Sequence, residues 1–361
     1  MSKKKVEKVL MRGNHALAEA AIRAGCRFYA GYPITPQNEV PEYMSEYMSK
    51  AGGVFIQGES EIASISMVQG AATTGARAMT TSSSPGISLK QEGISFLAGH
   101  ELPAVIVNMC RGGPGLGNIA GSQCDYFQST RGGGHGDYRT PVLAPASVQE
   151  LVDLVYQAFD LADKYRTPTL ILADGMLGNT MEPVVLPEPV DPKKLPEKEW
   201  AMKGAKGRPG RRSISLILDT KVMEEHNWKL QRKYKEIENK ETRWEEYLLD
   251  DAKMAVVAFG TAARIARGAI NRVRKEGLQV GLLRPITLWP FPSEAIKDLV
   301  SAGVGELQVF ELNAGQMVED VKRVVEGKVE CSLYARPGGV IPTPLDLSKA
   351  ITTRYYQKFC V

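Results

Sequence analysis

Thr35, in the loop that follows the first predicted strand, is the first residue suited to chemistry. The apolar residues 28–30 predict a strand that ends at Gly31. Pro33 and Pro36 exclude a helix after it, because each lacks an N–H and restricts the residue before it. The result is a stiff loop at the carboxyl end of a strand, where open α/β sheets place their ligands. Thr35 therefore offers a ligand one hydroxyl, or it bonds its own backbone as turn hydroxyls do.

Glu61 is the second residue of this kind. It follows Gly58-Glu59-Ser60 and opens a predicted helix of small residues, so its carboxylate could be held against a ligand in the first turn. An acidic first turn also complements the helix dipole without any further function. Glu59 is a competing carboxylate two residues earlier, and the residues alone do not separate the two.

Two more predicted strand ends carry polar or charged side chains. Arg111 follows a predicted strand at 105–109 and enters Gly112-Gly113-Pro114. Its guanidinium there could bind a carboxylate in a bidentate manner, or it could form a surface ion pair. Ser84 and Gly86 lie between a strand and a helix, and Gly86 lets the backbone approach a ligand closely. These positions could meet a substrate, a cosubstrate or a partner subunit.

His135 is one of only four histidines and lies in the glycine-rich segment 131–137. It could contact a substrate or act as an acid or base, or it could simply be exposed. The segment 113–117 is also glycine-rich. Pro114 and the lack of a following amphipathic helix predict a loop there rather than a nucleotide-binding fingerprint.

The first half of the chain alternates short apolar runs with helical patterns. The runs predict buried parallel strands at 54–56, 78–81, 104–109 and 169–173. The clearest helix is 147–163, where Ser147 and Glu150 predict a capping box. Alternating units of this kind predict an α/β fold with a parallel sheet covered by helices on both faces.

Residues 183–250 interrupt this alternation. Prolines cluster between 183 and 196, and a highly charged stretch at about 221–249 predicts a helix. Regular α/β patterning returns with strands at 254–259, 278–283 and 307–312. We therefore expect a first domain at 1–190, a charged linker or surface excursion at 191–250, and a smaller α/β domain at 251–361.

Composition excludes several classes of protein. The net charge is only +4, with 45 basic and 41 acidic residues, which does not predict a nucleic-acid partner. The basic, glycine-rich stretch 203–212 is more typical of a solvated linker than of a phosphate site. No apolar stretch is long enough to span a bilayer, and residues 1–8 lack the apolar segment of a signal peptide. We therefore expect no membrane association and a cytoplasmic location.

The five cysteines are scattered, and no two form a C-x-x-C pair. Neither a zinc site nor an iron–sulfur cluster is predicted from them, and we expect most of them to be small buried hydrophobic residues. No metal ligand set is predicted on this chain.

Six blocks of sequence resemble one family, the alpha-type subunits of the 2-oxoacid:ferredoxin oxidoreductases, both in their residues and in their order along the chain. The resemblance runs from about residue 8 to residue 350. The blocks are Tyr32-Pro33-Ile34-Thr35-Pro36, Glu59-Ser60-Glu61-Ile62-Ala63, Thr81-Ser82-Ser83-Ser84-Pro85-Gly86, Arg111-Gly112-Gly113-Pro114, Arg284-Pro285-Ile286-Thr287-Leu288-Trp289-Pro290-Phe291-Pro292 and Glu311-Leu312-Asn313-Ala314-Gly315-Gln316-Met317.

The resemblance implies a fold and an activity. The fold would be a transketolase-like pyrimidine-binding domain with a parallel sheet covered by helices, followed by a smaller α/β domain like the transketolase C-terminal domain. The activity would be thiamine-diphosphate-dependent oxidative decarboxylation of a 2-oxoacid to acyl-CoA and CO₂, with reduction of ferredoxin. The chain would be active only together with partner subunits.

The resemblance also implies roles for the residues singled out above. Glu61 would lie beside N1′ of the aminopyrimidine and promote its imino tautomer, with Pro33 and Ile34 also at the cofactor. Thr35 would hydrogen-bond the substrate next to the reacting carbon, and Arg111 would bind its carboxylate. Ser84 and His135 are further substrate-binding candidates, while the motif from Asn313 to Gln316 would pack at a subunit interface.

The resemblance also implies cofactors and partner subunits. Chains that grip thiamine diphosphate by its diphosphate carry Gly-Asp-Gly with an Asn about two dozen residues later, whereas here Asn179 comes too soon after Asp174-Gly175. The resemblance therefore implies a beta-type subunit that holds the diphosphate and Mg²⁺, a gamma-type subunit, and a ferredoxin-like subunit with iron–sulfur clusters. Coenzyme A is the expected cosubstrate, ferredoxin the electron acceptor, and a dimer of heteromers the expected assembly.

The substrate is less well defined. Residues 123–137 resemble the branched-chain, 3-methyl-2-oxobutanoate (2-oxoisovalerate) branch of the family, with 2-oxoglutarate and pyruvate as alternatives. A dicarboxylate would need a second cation, for which Arg131 or His135 are candidates. An isopropyl group would need an apolar wall, for which Leu116, Tyr126 or Phe127 are candidates. Two other functions stay open: a non-catalytic scaffolding subunit and a non-redox thiamine decarboxylase.

Overall fold

The computed structural model describes residues 7–360. Its strands are β1 (Val9–Arg12), β2 (Phe28–Gly31), β3 (Val54–Gln57), β4 (Ala78–Ser82), β5 (Ala104–Cys110), β6 (Val142–Leu143), β7 (Pro168–Asp174), β8 (Met181–Val184), β9 (Trp244–Tyr247), β10 (Met254–Val257), β11 (Val280–Pro285), β12 (Thr287–Trp289), β13 (Glu306–Glu311) and β14 (Glu330–Ala335). Its helices are α1 (Gly13–Arg23), α2 (Glu39–Tyr47), α3 (Glu61–Thr73), α4 (Ser84–Gly99), α5 (Tyr126–Thr130), α6 (Val148–Tyr165), α7 (Gly175–Asn179), α8 (Thr220–Glu241), α9 (Gly260–Lys275), α10 (Ser293–Ser301), α11 (Met317–Val325) and α12 (Pro344–Phe359).

The larger sheet has the strand order β12-β6-β7-β5-β4-β2-β3, and all of its strands except β12 are parallel. Every residue of β4, β5 and β7 is buried, as expected for central strands of a parallel sheet covered on both faces. Helices α1, α2 and α6 pack together in one group, and α3 packs on α4 in another. The predicted α/β architecture of the first half is confirmed.

The predicted helix at 147–163 is confirmed as α6. Ser147 caps it by accepting a hydrogen bond from the Glu150 N–H at 3.1 Å. The other half of the predicted capping box is wrong, because the Glu150 carboxylate accepts from the Ala146 N–H at 2.7 Å. The reason is a competing partner: the same carboxylate binds Arg284 of β11 through both of its oxygens.

The smaller sheet has the order β14-β13-β10-β11-β9, with β9 antiparallel to β11. The prediction of helix through residue 249 is wrong, since α8 ends at Glu241 and residues 244–247 form β9. The side chains of β9 explain the difference: Arg284 and Arg267 hold Glu245, and this edge pairing overrides the local helical preference. Helices α9 and α12 cover one side of the sheet, around a core separate from the main one.

Each of the two sheets contains one strand from outside the domain expected to form it. β12, from the C-terminal region, pairs with β6 at the edge of the larger sheet, whereas β9 adds to the smaller sheet from within the expected linker. The division into 1–190, 191–250 and 251–361 stays a prediction. Among residues 7–360, no helix is both long enough and apolar enough to cross a membrane.

Arg284 links the smaller sheet to helix α6, and its replacement by methionine is expected to destabilise the chain. Its guanidinium is 2.7 Å from Glu150 of α6 and 2.7 Å from Glu245 of β9. Arg284→Met removes the ion pair of Glu150 and leaves Glu245 with Arg267 alone, so we expect a loss of about 2 kcal/mol, measured by urea unfolding. The control is Lys297→Met, which removes an exposed i,i+3 pair with Glu294 and should cost less than about 0.5 kcal/mol. Equal losses in both variants would contradict a linking role for Arg284.

Candidate active site

Four neighbouring parallel strands bring most of the predicted site residues together. In the order β5-β4-β2-β3, each strand ends at the same edge of the sheet. Arg111 follows β5, Ser84 follows β4, Thr35 follows β2, and Glu61 follows β3. The loops after these strands form the candidate site, at the edge where α/β sheets bind ligands.

Buried polar side chains fix the loop after β2 to the interior of the domain. The Thr81 hydroxyl donates to Gln37 and is itself 2.7 Å from the Tyr29 hydroxyl. A side chain at Gly31 would clash with that tyrosine, which explains the glycine at the strand end. Thr35 is half-buried, and its hydroxyl oxygen is 3.5 Å from the Asn38 amide, so its own proton is available to a ligand.

Glu61 is the first residue of α3 and is buried, with an exposed fraction of 6%. Ser60 caps the helix by accepting from the Ala63 N–H at 3.2 Å. The Glu61 carboxylate points at the start of α4: a Cβ on Gly86 would lie 2.6 Å from its Oε1 and closer still to the Ser82 hydroxyl. Glu59, in contrast, is exposed. The geometry therefore favours Glu61 over Glu59 as the site carboxylate.

Ser84 joins two of the strand ends. Its hydroxyl donates to Asp125 at 2.6 Å and accepts from the Arg111 N–H at 3.0 Å. Asn108 completes the contact by donating to the same Asp125 oxygen at 2.8 Å and accepting from the Ser84 N–H. The Ser84 hydroxyl is thus already used within the chain, so its predicted contact with substrate stays a prediction.

Arg111 is buried, with an exposed fraction of 6%. It donates from Nη1 to the Thr35 carbonyl at 2.8 Å and from Nη2 to the Leu116 carbonyl at 3.1 Å. Within residues 7–360 no carboxylate pairs with it, so the surface ion pair considered above is wrong. A guanidinium without a carboxylate partner, held by two backbone carbonyls, suits an anionic ligand.

Several buried polar atoms at this edge of the sheet have no partner among the described residues: Ser82 Oγ, Ser83 Oγ, Gln37 Nε2 and Arg111 Nε. Buried polar groups are otherwise nearly always hydrogen-bonded, so such a cluster indicates a polar ligand. Together with the buried Glu61 carboxylate, these atoms offer hydrogen-bonding partners to a flat ring that carries nitrogens. The site therefore fits the aminopyrimidine of thiamine diphosphate.

Lys90 is a site residue that sequence reasoning missed. It lies on α4, is fully buried, and donates from Nζ to the Glu61 carbonyl at 3.3 Å. Burial lowers the pKa of Lys90 to about 8, although the Glu61 charge acts in the opposite direction. Helical spacing could have revealed it, because Gly86, Lys90 and Gly93 share one face, and Gly93 packs closely on Ile65 of α3.

Lys90→Met is expected to stabilise the chain at pH 7 by up to about 3 kcal/mol, because the folded state no longer buries a charge. Unfolded lysine titrates near 10.5, so the unfolded wild-type chain binds more protons between about pH 8 and 10.5. Wild-type stability therefore rises over that range, and the advantage of the variant shrinks. Urea unfolding at pH 7 and pH 10 measures this, with the exposed Lys206→Met as control. A pH-independent difference, or a less stable variant at pH 7, would contradict the assignment.

His135 does not join this cluster. Its ring is exposed and lies 6.1 Å from that of Phe96, while its carbonyl accepts from Ser95 at 2.6 Å. Ser95 lies three turns along α4 from Ser84, or about 16 Å. Arg131 is also outside the cluster and pairs with Asp320 at 3.5 Å.

The three residues considered for an apolar wall around the substrate, Leu116, Tyr126 and Phe127, lie in different environments. Tyr126 is buried and its hydroxyl donates to Asp320 at 2.8 Å, Phe127 lies under the Arg131 guanidinium, and Leu116 is largely exposed. Asp174 caps α7 by accepting from the Met176 and Leu177 N–H groups.

The motif from Glu311 to Met317 binds a segment of the same chain. Gln316 donates to the Cys124 carbonyl at 2.7 Å and accepts from the Phe127 N–H at 2.8 Å. Asn313 donates to the Gln123 carbonyl at 3.0 Å. These side chains hold residues 123–127 against the smaller sheet. The expected role of the motif at a subunit interface stays a prediction.

Comparison with known proteins agrees with this geometry. The family model "Pyruvate flavodoxin/ferredoxin oxidoreductase, thiamine diP-bdg" matches residues 19–248, and "Pyruvate:ferredoxin oxidoreductase core domain II" matches residues 252–347. The ketoisovalerate oxidoreductase subunit VorB of Methanothermobacter thermautotrophicus is 51% identical over 330 residues, which cover 91% of this chain and 93% of that protein. The 2-oxoglutarate synthase subunit KorA of Methanocaldococcus jannaschii is 39% identical, with 94% of this chain and 98% of that protein covered.

Solved structures confirm the expected transketolase-like α/β fold. A 2-oxoglutarate:ferredoxin oxidoreductase from Magnetococcus marinus, with 2-oxoglutarate, coenzyme A and succinyl-CoA bound, matches with a TM-score of 0.82 at 25% identity. The match covers 98% of this chain and 66% of that chain. A split-gene transketolase, at 12% identity and a TM-score of 0.59 over 96% of this chain and 99% of that one, shares the fold alone. This chain belongs to the 2-oxoacid:ferredoxin oxidoreductase family.

Proposed function

We propose that this chain is the pyrimidine-binding, substrate-facing subunit of a thiamine-diphosphate-dependent oxidoreductase. The enzyme converts 3-methyl-2-oxobutanoate and coenzyme A to the acyl-CoA and CO₂ and reduces ferredoxin. The observation that carries this proposal is the buried Glu61 carboxylate, which packs at Gly86 beside the unpartnered Ser82 hydroxyl at the carboxyl edge of the sheet.

The chain's residues have distinct tasks in this proposal. Thiamine diphosphate, when bound, would supply the nucleophilic carbon for a 2-oxoacid. Glu61 exchanges a proton with the N1′ position of the aminopyrimidine, and its burial keeps that proton from water. Gly86, which has no side chain, lets the Glu61 carboxylate pack against the start of α4, while Pro33 and Ile34 form part of the adjoining loop.

Two residues bind and orient the 2-oxoacid. Thr35 donates its free hydroxyl proton to the carboxylate or carbonyl of the substrate. Arg111 offers its unpartnered Nε–H to the carboxylate, while its other nitrogens keep the Thr35 and Leu116 carbonyls in place.

Partner subunits complete the enzyme. The relatives are named as subunits, and this sequence lacks a Gly-Asp-Gly motif with a suitably spaced Asn. A beta-type subunit then supplies the diphosphate and Mg²⁺ half of the site, a ferredoxin-like subunit the iron–sulfur clusters, and a gamma-type subunit completes a dimer of heteromers. The coenzyme A in the Magnetococcus marinus structure supports coenzyme A as cosubstrate, and ferredoxin in a cytoplasmic setting is the expected acceptor.

The branched-chain substrate is supported by relatives and by the positions of the cations. Two relatives at 49–51% identity are named ketoisovalerate oxidoreductase subunits. The two cations considered for a second carboxylate, Arg131 and His135, lie outside the cluster around Arg111. A second carboxylate would therefore be left without a cation from either residue, which is costly in a poorly solvated site.

The test is the rate of acyl-CoA formation by the reconstituted complex. We expect kcat/KM for 3-methyl-2-oxobutanoate to exceed that for 2-oxoglutarate by at least about a hundredfold, because an unpaired carboxylate is heavily penalised. The expected ratio over pyruvate is about tenfold, since apolar groups discriminate less. A preference for 2-oxoglutarate would overturn the choice of substrate. Robust turnover by this chain without partners would overturn the division of the site between subunits.

A further inference from the structure

Two cysteines that the proposed chemistry does not use lie side by side next to the candidate site. The Sγ atoms of Cys110 and Cys124 are 3.9 Å apart. Cys110 is the buried last residue of β5, and Cys124 is a half-buried residue just before α5. The chain turns back between them through an antiparallel bridge of Arg111 with Gly121, which brings the two thiols together.

The two thiols differ in accessibility and acidity. A hydrogen bond from the Cys110 thiol lowers the pKa of Cys124, whereas burial raises the pKa of Cys110. Cys124 is also the more accessible of the two. An accessible, more acidic thiol in contact with a buried second thiol is the arrangement of an attacking and a resolving cysteine.

A metal site at this position is less well supported. Asp125 completes a group whose three candidate ligand atoms all lie within 4.8 Å of one another. However, one oxygen of that carboxylate already accepts hydrogen bonds from Ser84 at 2.6 Å and Asn108 at 2.8 Å. Its other oxygen accepts from the Cys124 thiol at 3.4 Å. Both oxygens of the carboxylate are therefore used within the chain, and the closest reaction partner of each sulfur atom is the other sulfur.

We propose that Cys110 and Cys124 form a redox-active dithiol that a peroxide oxidises to a disulfide. In the first step the Cys124 thiolate attacks the peroxide, forms a sulfenic acid and releases hydroxide or the corresponding alkoxide. The Cys110 sulfur then attacks that sulfenic sulfur, forms the S–S bond and releases water. Two thiols are oxidised, one peroxide is reduced, and a dithiol reductant reverses the change.

The disulfide changes the surroundings of the site residues. Closing the pair from 3.9 Å to a bond of about 2 Å moves the sulfur atoms about 2 Å closer together. Cys124 now donates to the Arg111 carbonyl at 3.2 Å, and the Ser84 hydroxyl lies 3.6 Å from the Cys110 sulfur. Oxidation therefore disturbs the backbone of Arg111 directly. Only this effect on catalysis rests on the proposed function, since the disulfide itself does not.

The first test follows the thiols of the anaerobically purified complex and needs no activity. Hydrogen peroxide is added, free thiols are alkylated, and the peptides of this chain are analysed by mass spectrometry without reduction. We expect a Cys110–Cys124 disulfide at least tenfold more abundant than any disulfide of the exposed Cys360, and its loss after dithiothreitol. In Cys124→Ser, Cys110 should stay reduced. A Cys124 oxidised beyond sulfenic acid while Cys110 stays free, or no linked peptide, would overturn the proposal.

The second test separates the dithiol from peroxide damage to clusters on partner subunits. Activity is measured after peroxide and again after dithiothreitol, relative to each variant's own starting rate. Wild type should recover at least threefold with dithiothreitol, whereas Cys110→Ser and Cys124→Ser should recover less than 1.5-fold. Equal recovery in wild type and both variants would overturn an effect of the disulfide on the site. A wild-type complex without initial activity would contradict the proposed function. The thiol analysis of the first test would then still decide whether the Cys110–Cys124 disulfide forms.

Discussion

Glu61→Gln is expected to lower kcat of the assembled complex at least about a hundredfold. The substitution keeps the size and the hydrogen-bonding ability of the side chain, so α3 and its Ser60 cap should be retained. What it removes is a group that can exchange a proton at a buried position facing Gly86, and acid–base groups of this kind contribute about 10²–10⁴-fold. The measurement is acyl-CoA formation coupled to ferredoxin reduction.

The matched control for this prediction is Glu59→Gln, two residues earlier and exposed. It should retain kcat within about twofold, because its carboxylate faces solvent. Both variants must assemble like the wild type by native mass measurement. A Glu61→Gln complex with wild-type kcat would exclude the assigned role and favour the scaffolding alternative.

Arg111→Lys is expected to lower kcat/KM for the 2-oxoacid by about a hundredfold, mainly through a higher KM. The charge is kept, but an ammonium group cannot hold the Thr35 and Leu116 carbonyls and still present a donor to the substrate. Two hydrogen bonds that involve a charged donor are worth about 1.5–3 kcal/mol each, and losing one of them accounts for most of the change. Steady-state kinetics of the reconstituted complex measure the effect.

Arg131→Lys is the control for Arg111→Lys, since Arg131 is an exposed arginine outside the cluster, paired with Asp320 and Glu319. We expect it to retain kcat/KM within about threefold. If Arg131→Lys lost activity and Arg111→Lys kept it, the substrate carboxylate would bind elsewhere than proposed.

The positions of the site loops could be predicted from sequence because they depend on a simple rule. The apolar runs 28–30, 78–81 and 104–109 predict parallel strands, and parallel strands place their carboxyl ends at one edge. The polar residues that follow them must then meet, as Thr35 and Arg111 do through a direct hydrogen bond.

Other features depend on contacts between distant segments, for which local sequence carries little signal. Residues 244–247 form an edge strand because β11 and two arginines hold them, although the local pattern is helical. The pairing of Cys110 with Cys124 depends on the turn of a glycine-rich loop, whose register the sequence does not define. Lys90 is different, because its i+4 spacing from Gly86 is local, whereas its contact with the Glu61 carbonyl depends on the packing of α4 on α3.

The most direct test of the central claim is a structure of the intact complex with thiamine diphosphate bound, determined by cryo-electron microscopy. The account predicts the Glu61 carboxylate of this chain within about 3 Å of the pyrimidine N1′ nitrogen, a hydrogen-bond distance, with the diphosphate and Mg²⁺ held by a different subunit. A carboxylate from another chain at N1′, or a diphosphate held by this one, would contradict it.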